Sequence, residues 1–256
     1  MSVRVGALRV VIIGASGRMG LSLLRLLPQF PQFRLHAAVV GPQSGSLGRD
    51  TGELAGVGRS GIQLGADLEG ALPGAALALA FSTALAAPRQ VSLCAAARVP
   101  LLLGTSGLGA QMEPIAALAA ERIPLLIAPN TSLGATVLQD LARRAAAALG
   151  VGFDLRVQDT HHRDKADAPS GTALALGCAV SQARGGPGDA VLYTSVRGGD
   201  VVGEHVVEFL GQGERLRLSH TATDRGIFAH GALRAGLWLT RQKPGMHHMA
   251  DIFNEK

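Results

Sequence analysis

The stretch Asp159-Thr160-His161-His162-Arg163-Asp164-Lys165-Ala166-Asp167-Ala168-Pro169-Ser170-Gly171-Thr172-Ala173 gathers two imidazoles, two fixed cations and a small-residue helix start in one segment. Imidazoles exchange protons near neutrality. Arg and Lys side chains hold anionic groups by charge-assisted hydrogen bonds. Ser170 has the character of an N-cap for a helix over Gly171–Ala183, and the first N–H groups of such a helix can hold a carboxylate. The set suits a small dianionic acid whose reaction needs a proton donor. A solvated charged loop is the plain alternative, and the helix start that follows argues against it. Residues of these types are expected to stay out of a packed core. Zinc is the rival use of paired histidines. Adjacent His side chains diverge, though, and no nearby Cys completes a site, so no metal is expected. His247-His248 reads as surface. His205, His220 and His230 read as isolated structural histidines.

A second constellation, Gly14-Ala15-Ser16-Gly17-Arg18-Met19-Gly20, follows an apolar run and opens a helical pattern. Glycines there permit a tight turn and close approach of a pyrophosphate to backbone N–H groups, and the helix start favours the anion. The spacing is G-x-x-G-x-x-G rather than G-x-G-x-x-G. Its strand–turn–helix setting still indicates dinucleotide binding. Two later strand ends, Gly104-Thr105-Ser106 and Pro129-Asn130-Thr131-Ser132, occupy the place where open parallel sheets bind ligands. The acid that usually ends the second strand and reads the ribose hydroxyls is missing, because that strand ends Val39-Val40-Gly41-Pro42. The ribose then meets neutral residues, or Gln43, Ser44, Ser46 and Arg49 from the loop beyond. A chain without that carboxylate does not repel a 2′-phosphate, which points to NADPH or to use of both NADPH and NADH.

The elements that must position these residues alternate through the first half. Strands are expected at Leu8–Ile13, Leu35–Val40, Ala76–Phe81, Leu101–Leu103 and Leu125–Ala128. Helices are expected over Gly17–Leu27, stopped by Pro28, and over Ala84–Arg98 and Ala110–Glu121. Continuous apolar strands alternating with helices mean a doubly wound, Rossmann-like α/β sheet covered on both faces. Gly41–Gly61 reads as a long loop with one helical turn. After a helix at Leu133–Leu149, strands at Phe153–Gln158, Val191–Val196, Glu204–Leu210 and Glu214–Ser219 predict a second, α+β domain with a mostly antiparallel sheet. Gly211-Gln212-Gly213 is its hairpin connection. A last helix over Gly226–Leu239 is apolar enough to return to the first domain. The expected limits are 1–131 with 222–256 for the dinucleotide-binding domain, and 132–221 for the second, substrate-binding domain.

Composition narrows the partners. The chain has 256 residues, 47% hydrophobic and 17% charged, which excludes global disorder. A net charge of +5 raises nucleic acid as a partner, but aromatics are 4% and no basic run occurs. Anionic small molecules fit better. Cys94 and Cys178 lie in Ala-rich helical stretches and read as two buried thiols, in keeping with a reducing, cytoplasmic setting. Arg4 and Arg9 precede Val10–Ile13, a run too short for a signal peptide. The uncharged stretch Gly70–Pro88 is broken by Pro73, Gly74, Ser82 and Thr83, so no membrane span is expected.

With these residues assembled, the chain resembles the dihydrodipicolinate reductase family of bacterial lysine and diaminopimelate biosynthesis. His161–Ala173 is similar to that family's signature H-H-R-x-K-x-D-A-P-S-G-T-A. The resemblance runs from Gly14–Gly20 through Gly52-Glu53-Leu54-Ala55-Gly56, Gly104-Thr105 and Asn130. It continues through Gly203-Glu204-His205 and Gly213-Glu214-Arg215-Leu216 to Trp238. It implies hydride transfer from NADPH or NADH to 4-hydroxy-tetrahydrodipicolinate (dihydrodipicolinate), a cyclic imine dicarboxylate, giving tetrahydrodipicolinate. It implies His161 as proton donor or acceptor and Lys165 as proton donor, with His162, Gly171 and Thr172 on the substrate carboxylates. The cofactor would be lined by Gly14, Ala15, Ser16, Gly17, Arg18, Met19, Gly104, Thr105, Ser106, Ala128, Pro129, Asn130 and Thr131. The family forms homotetramers through the second domain's sheet. Four positions depart from its pattern. Val40 and Gly41 replace a frequent acid and Arg, Thr131 replaces a frequent aromatic, and Ser106 stands where Thr is frequent. Another Rossmann dehydrogenase and a DNA-binding regulator are the competing readings, and the His161–Thr172 segment, with both His161 and Lys165 retained, argues against each.

Overall fold

A computed structural model describes residues 6–186 and 191–254; Arg4 and the outermost residues of the expected first domain lie outside them. The chain divides into two compact units, Met1–Thr131 with Phe228–Lys256, and Ser132–Ile227.

The first unit is built on a parallel seven-stranded sheet. Its strands are β1 (Leu8–Ile13), β2 (Phe33–Val39), β3 (Leu64–Gly65), β4 (Leu77–Ala80), β5 (Leu101–Leu103), β6 (Pro124–Ile127) and β11 (Gly245–His247), in the order β11-β6-β5-β4-β1-β2-β3. β4 and β5 are buried at every position, and β1 from Val10 onward. That is why their sequences are unbroken apolar runs rather than alternating ones. The crossovers include α1 (Arg18–Leu26), α2 (Thr51–Ala55), α3 (Leu68–Ala71), α4 (Ala87–Ala96) and α5 (Met112–Ala120). Val91, Cys94, Ala116 and Ala119 from α4 and α5 pack on Val11, Ala78 and Leu103. The order reverses between β1 and β4, so the crevice outside their carboxyl ends is where a doubly wound sheet takes its ligand.

Several boundaries differ from expectation. Pro28 does not lie just past a helix end at Leu27; α1 stops at Leu26 and Pro28 sits in a 3-10 turn, Leu27–Gln29. α4 starts at Ala87, with Pro88 in its first turn, where a missing N–H costs nothing. The loop Gly41–Gly61 contains α2, capped by Asp50 and closed by left-handed Gly56. β3, α3 and β11 were not foreseen. His247 is half-buried in β11, edge-on to Trp238 at 5.3 Å, rather than free on the surface.

The second unit has α6 (Leu133–Leu149), β7 (Asp154–His161), α7 (Gly171–Ala183), β8 (Val191–Arg197), β9 (Gly203–Leu210) and β10 (Arg215–Ala222), and α8 (Gly226–Leu239) begins at its end. Its sheet runs β10-β9-β7-β8. β9 pairs antiparallel with β10 and β7, but β8 lies parallel to β7. The expectation of a mostly antiparallel sheet holds for β9 with β10 and with β7, and β8 is the exception. The intervening α7 instead makes β7-α7-β8 a crossover unit, which demands parallel strands. Leu138 and Ala142 of α6 and Leu176 and Val180 of α7 cover Leu155, Val157, Val207 and Phe209. Cys94 is buried, its thiol pushed up to about 12 by desolvation. Cys178 is exposed on α7, contrary to the expectation of two buried thiols, because that face of the helix points away from the sheet. Among the described residues, no helix is long and apolar enough to cross a membrane.

Candidate active site

The glycine-rich turn after β1 is shaped by close approach. Gly14 has φ +79°, and a Cβ there would lie 2.2 Å from the Phe81 carbonyl oxygen. A Cβ on Gly20 would lie 2.4 Å from the Gly14 carbonyl oxygen, so α1 sits directly on the turn. The Gly14 and Ala15 N–H groups both donate to the Val39 carbonyl, at 2.8 and 3.1 Å. They hold the turn to β2 and are not aimed at a ligand. Gly17 is the N-cap of α1 and has no side chain to occupy the first-turn donors. Those donors, with the positive end of α1 behind them, suit a pyrophosphate.

The neighbouring strand ends are locked to this turn. A Cβ on Gly104 would lie 2.0 Å from the Phe81 ring. Thr105 is buried, and its hydroxyl donates to the Ser82 carbonyl at 3.3 Å. Phe81 and Ser82, after β4, thus separate the β1 and β5 loops; sequence reading placed Phe81 in a strand and gave it no role. Ser106 is exposed. After β6, Ala128 is buried and donates its N–H to Leu103. Pro129 is exposed, Asn130 half-buried, and Thr131 buried with its hydroxyl on the Phe228 carbonyl at 2.7 Å. Where an acid would read the ribose, Val40 is turned into the core at 5% exposure and Gly41 offers only backbone.

In the second unit, strand periodicity assembles the other cluster. Asp159 and His161 on β7 have the same parity as core residues Leu155 and Val157, so they point inward. Register then sets Ser195 of β8 and His205 of β9 beside Asp159, and Arg197 beside His161. The Asp159 carboxylate is fully covered, accepts from Ser195 Oγ at 2.7 Å and His161 Nδ1 at 2.8 Å, and pairs electrostatically with Arg197 Nη1 at 2.9 Å. A longer contact of 3.5 Å comes from the Ser170 N–H at the start of α7. Burial would push this carboxyl up, but the Ser195, His161 and Arg197 partners hold it below the usual Asp value.

His161 is 8% exposed, contrary to the expectation that the charged segment avoids the core. Asp159 and Arg197 make that burial tolerable, since buried polar groups need partners. Desolvation lowers the imidazole's pKa, Lys165 and Arg197 add to the lowering, and Asp159 opposes it. The net direction is down, so at neutral pH the Asp159–His161 contact is a hydrogen bond donated by a neutral ring rather than an ion pair. The His205 ring meets the His161 ring edge-on at 5.1 Å. His205 Nε2 is 3.2 Å from Ser170 Oγ, and burial pushes its pKa down to about 4. It is therefore part of this cluster and not an isolated structural histidine.

The chain then turns outward. His162 is half-buried, and its carbonyl accepts from the Lys165 N–H. Lys165 Nζ pairs with Asp167 Oδ1 at 2.6 Å. Arg197 Nη2 donates to the Asp167 carbonyl at 2.5 Å, tying the loop back to β8. Ser170 caps α7, its Oγ accepting from Ala173 N at 3.2 Å. Gly171 is exposed with open space where a Cβ would stand, and Thr172 is half-buried. One unit thus brings together a neutral imidazole, an ammonium group and a helix start. Asp159, Ser195, Arg197 and His205 carried no role in the sequence reading. The alternation of Asp159 with His161 and of Ser195 with Arg197 puts each pair on one strand face, but only register brings the pairs and His205 together.

A doubly wound parallel sheet in one unit and a buried imidazole–carboxylate cluster in the other are the parts of a Rossmann-type oxidoreductase. Family models agree in both parts: "Dihydrodipicolinate reductase, N-terminus" matches residues 8–131 and "Dihydrodipicolinate reductase, C-terminus" matches 134–253. The chain is 41% identical to the 4-hydroxy-tetrahydrodipicolinate reductase of Anaeromyxobacter dehalogenans (strain 2CP-1 / ATCC BAA-258), over 95% of this chain and 97% of that one. It is also 41% identical to the enzyme of that name from Alkalilimnicola ehrlichii, over 95% and 98%. In fold it is similar to the dipicolinate-bound dihydrodipicolinate reductase of Paenisporosarcina sp. TG-14. That match has TM-score 0.75 and 21% identity over 94% of this chain and 97% of the other. The chain belongs to the dihydrodipicolinate reductase family.

Proposed function

We propose that the protein reduces 4-hydroxy-tetrahydrodipicolinate with NADPH or NADH, giving tetrahydrodipicolinate. The observation that carries this reading is the buried His161 beside Lys165 and the α7 start, within the signature segment His161–Ala173. The α7 N-terminus, with Gly171 and Thr172, receives a substrate carboxylate, and His162 assists. Gly171 suits this because its Cα side is open. Lys165 donates a proton and His161 exchanges one. Gly17, Arg18 and Met19 at the start of α1 hold the pyrophosphate, and the loops Gly104–Ser106 and Ala128–Thr131, beyond β4 in the sheet order, line the rest of the cofactor. Bound there, the reduced nicotinamide supplies the hydride. With Val40 buried and no acid at Gly41, the ribose site tolerates a 2′-phosphate, so both NADPH and NADH serve. The protein works in the cytoplasm as a homotetramer. The exposed Leu192 and Val196 of β8, on the sheet face away from the helices, support that face as the contact between copies.

A coupled assay tests this. Pyruvate and aspartate semialdehyde are condensed by the preceding synthase, the protein is added with either cofactor, and loss of reduced-nicotinamide absorbance is followed. Oxidation requiring both proteins is expected with each cofactor. No oxidation by folded protein that still binds nicotinamide would shift the reading to a different imine; failure with NADPH alone would overturn the ribose argument.

A further inference from the structure

A carboxylate with no exposed surface is costly unless its oxygens are occupied. Asp159 meets that condition through groups from three different places: Ser195 and Arg197 on β8, His161 on its own strand, and the Ser170 N–H at the α7 start. Nothing about holding the sheet together requires an acid here. Val157, two residues earlier on the same face, packs in the apolar core. What the acid does is take one ring nitrogen of His161.

A neutral imidazole has one N–H and one lone pair, and a carboxylate can only accept. With Asp159 ionised, the proton of neutral His161 must sit on Nδ1, leaving Nε2 with the lone pair. The Nε2 edge lies beside Gly203, where a Cβ would come within 3.1 Å of it. The absence of a side chain at Gly203 keeps that edge uncovered by β9. We propose that Asp159 is a positioning residue for the reaction. It holds His161 as the Nδ1–H tautomer, with Nε2 free as a proton acceptor, while Arg197 and Ser195 keep Asp159 ionised and oriented. This rests on the reading of His161 given above and deepens it. In the resting protein Nε2 carries no proton, so the proton taken up by the imine nitrogen as the hydride arrives at carbon comes from the Lys165 ammonium, which becomes a neutral amine and is reprotonated from water; His161 Nε2 donates only after it has taken a proton from water.

The charged and titratable groups facing His161 are Asp159 from its own strand, Arg197 from β8, His205 from β9 and Lys165 from the loop. Of these, Asp159 alone favours the protonated ring. Its removal therefore lowers the His161 pKa further.

Two measurements test the proposal. In protein labelled with 15N-histidine, His161 in the unaltered chain is expected to show a protonated Nδ1 and an unprotonated Nε2 at neutral pH. The opposite tautomer would overturn the proposal without any variant being made. The second is Asp159→Asn, which preserves shape while its amide can donate to Nδ1. The tautomer should shift toward Nε2–H, kcat should fall about 100-fold or more, and nicotinamide affinity and KM should stay within about threefold. The acidic limb of the kcat profile should move to lower pH. Unchanged kcat, or an equal loss of nicotinamide binding, would overturn the role. The tautomer readout is independent of turnover, so failure of the coupled assay with unaltered protein would strike the function and not this inference.

Discussion

Gly203→Ala isolates the Nε2 side of His161 from the stability of the fold. Gly203 opens β9 opposite Ala222 with an ordinary negative φ, so alanine adopts its backbone conformation without strain. Restricting the unfolded chain stabilises by roughly 0.4–1 kcal/mol. The new methyl would lie 3.1 Å from Nε2 and 3.3 Å from Cδ2 of His161, and 3.8 Å from Cε1 of His205. These contacts are tight by a few tenths of an ångström, and the resulting crowding costs about 1 kcal/mol or more. The two terms nearly offset, so the melting temperature should move little. Catalysis is another matter. A proton passing to Nε2 needs a donor within about 2.8 Å along the lone-pair direction, and a methyl group at the ring edge obstructs that approach. Blocking that approach, so that the donor sits about 1 Å from its place, costs on the order of 100-fold, or ~2.7 kcal/mol in the barrier. The coupled assay should show that loss in kcat, while nicotinamide binding, followed by fluorescence, is unchanged. Activity within about threefold of the unaltered protein, with an unchanged melting curve, would refute the argument that the Gly203 side of His161 is the reacting side.

Other perturbations separate the remaining roles. Lys165→Ala should lower kcat by about 100-fold or more with nicotinamide affinity nearly intact, and an equal loss of affinity in titration would refute its assignment as proton donor. Gly104→Ala places a methyl 2.0 Å from the Phe81 ring, so it should weaken nicotinamide binding and lower stability by about 1–3 kcal/mol, seen together in titration and denaturant unfolding. His205 has a folded pKa of about 4 and an unfolded value near 6.5, so its contribution is complete above pH 6.5 and is lost as pH falls toward 4. Urea unfolding should show a decline of up to ~3 kcal/mol across that window, and His205→Asn should flatten it. Asp50 accepts from the Gly52, Glu53, Ser60 and Gly61 N–H groups, led by Ser60, which hold its carboxyl below the usual range. Asp50→Ala should lower the melting temperature at neutral pH, and the gap should close as both proteins are taken below about pH 4.

The parts legible in the sequence were those with strong periodicity and marked ends. The α6 limits followed from an amphipathic run between Ser132, whose Oγ accepts from Ala135 N, and Gly150. The α8 limits followed from a mostly apolar helical pattern that only His230 and Arg234 interrupt. β3 and β11 escaped because two or three residues carry no period. β7 was cut short at Gln158 for a different reason: its last inward positions are Asp159 and His161, so the apolar alternation ends where the site begins. The signature segment marked the loop, but its supports lie on other strands. Ser195, Arg197 and His205 become neighbours of β7 only through register, and register between distant strands is not written in any local window.

Phe81 bears on how the first unit meets its ligand. One aromatic side chain and its own carbonyl press on Gly14 and Gly104, and neither glycine has room to move toward the other without displacing it. The β1 and β5 loops therefore behave as a single preformed wall. Its ordering entropy is settled when the chain folds rather than when a dinucleotide arrives, so association loses less conformational freedom there than at two independent loops. It also means that substitutions at Gly14 and Gly104 act on one object. Their effects on nucleotide affinity will not add, since the first to displace Phe81 has already opened the space the second would claim.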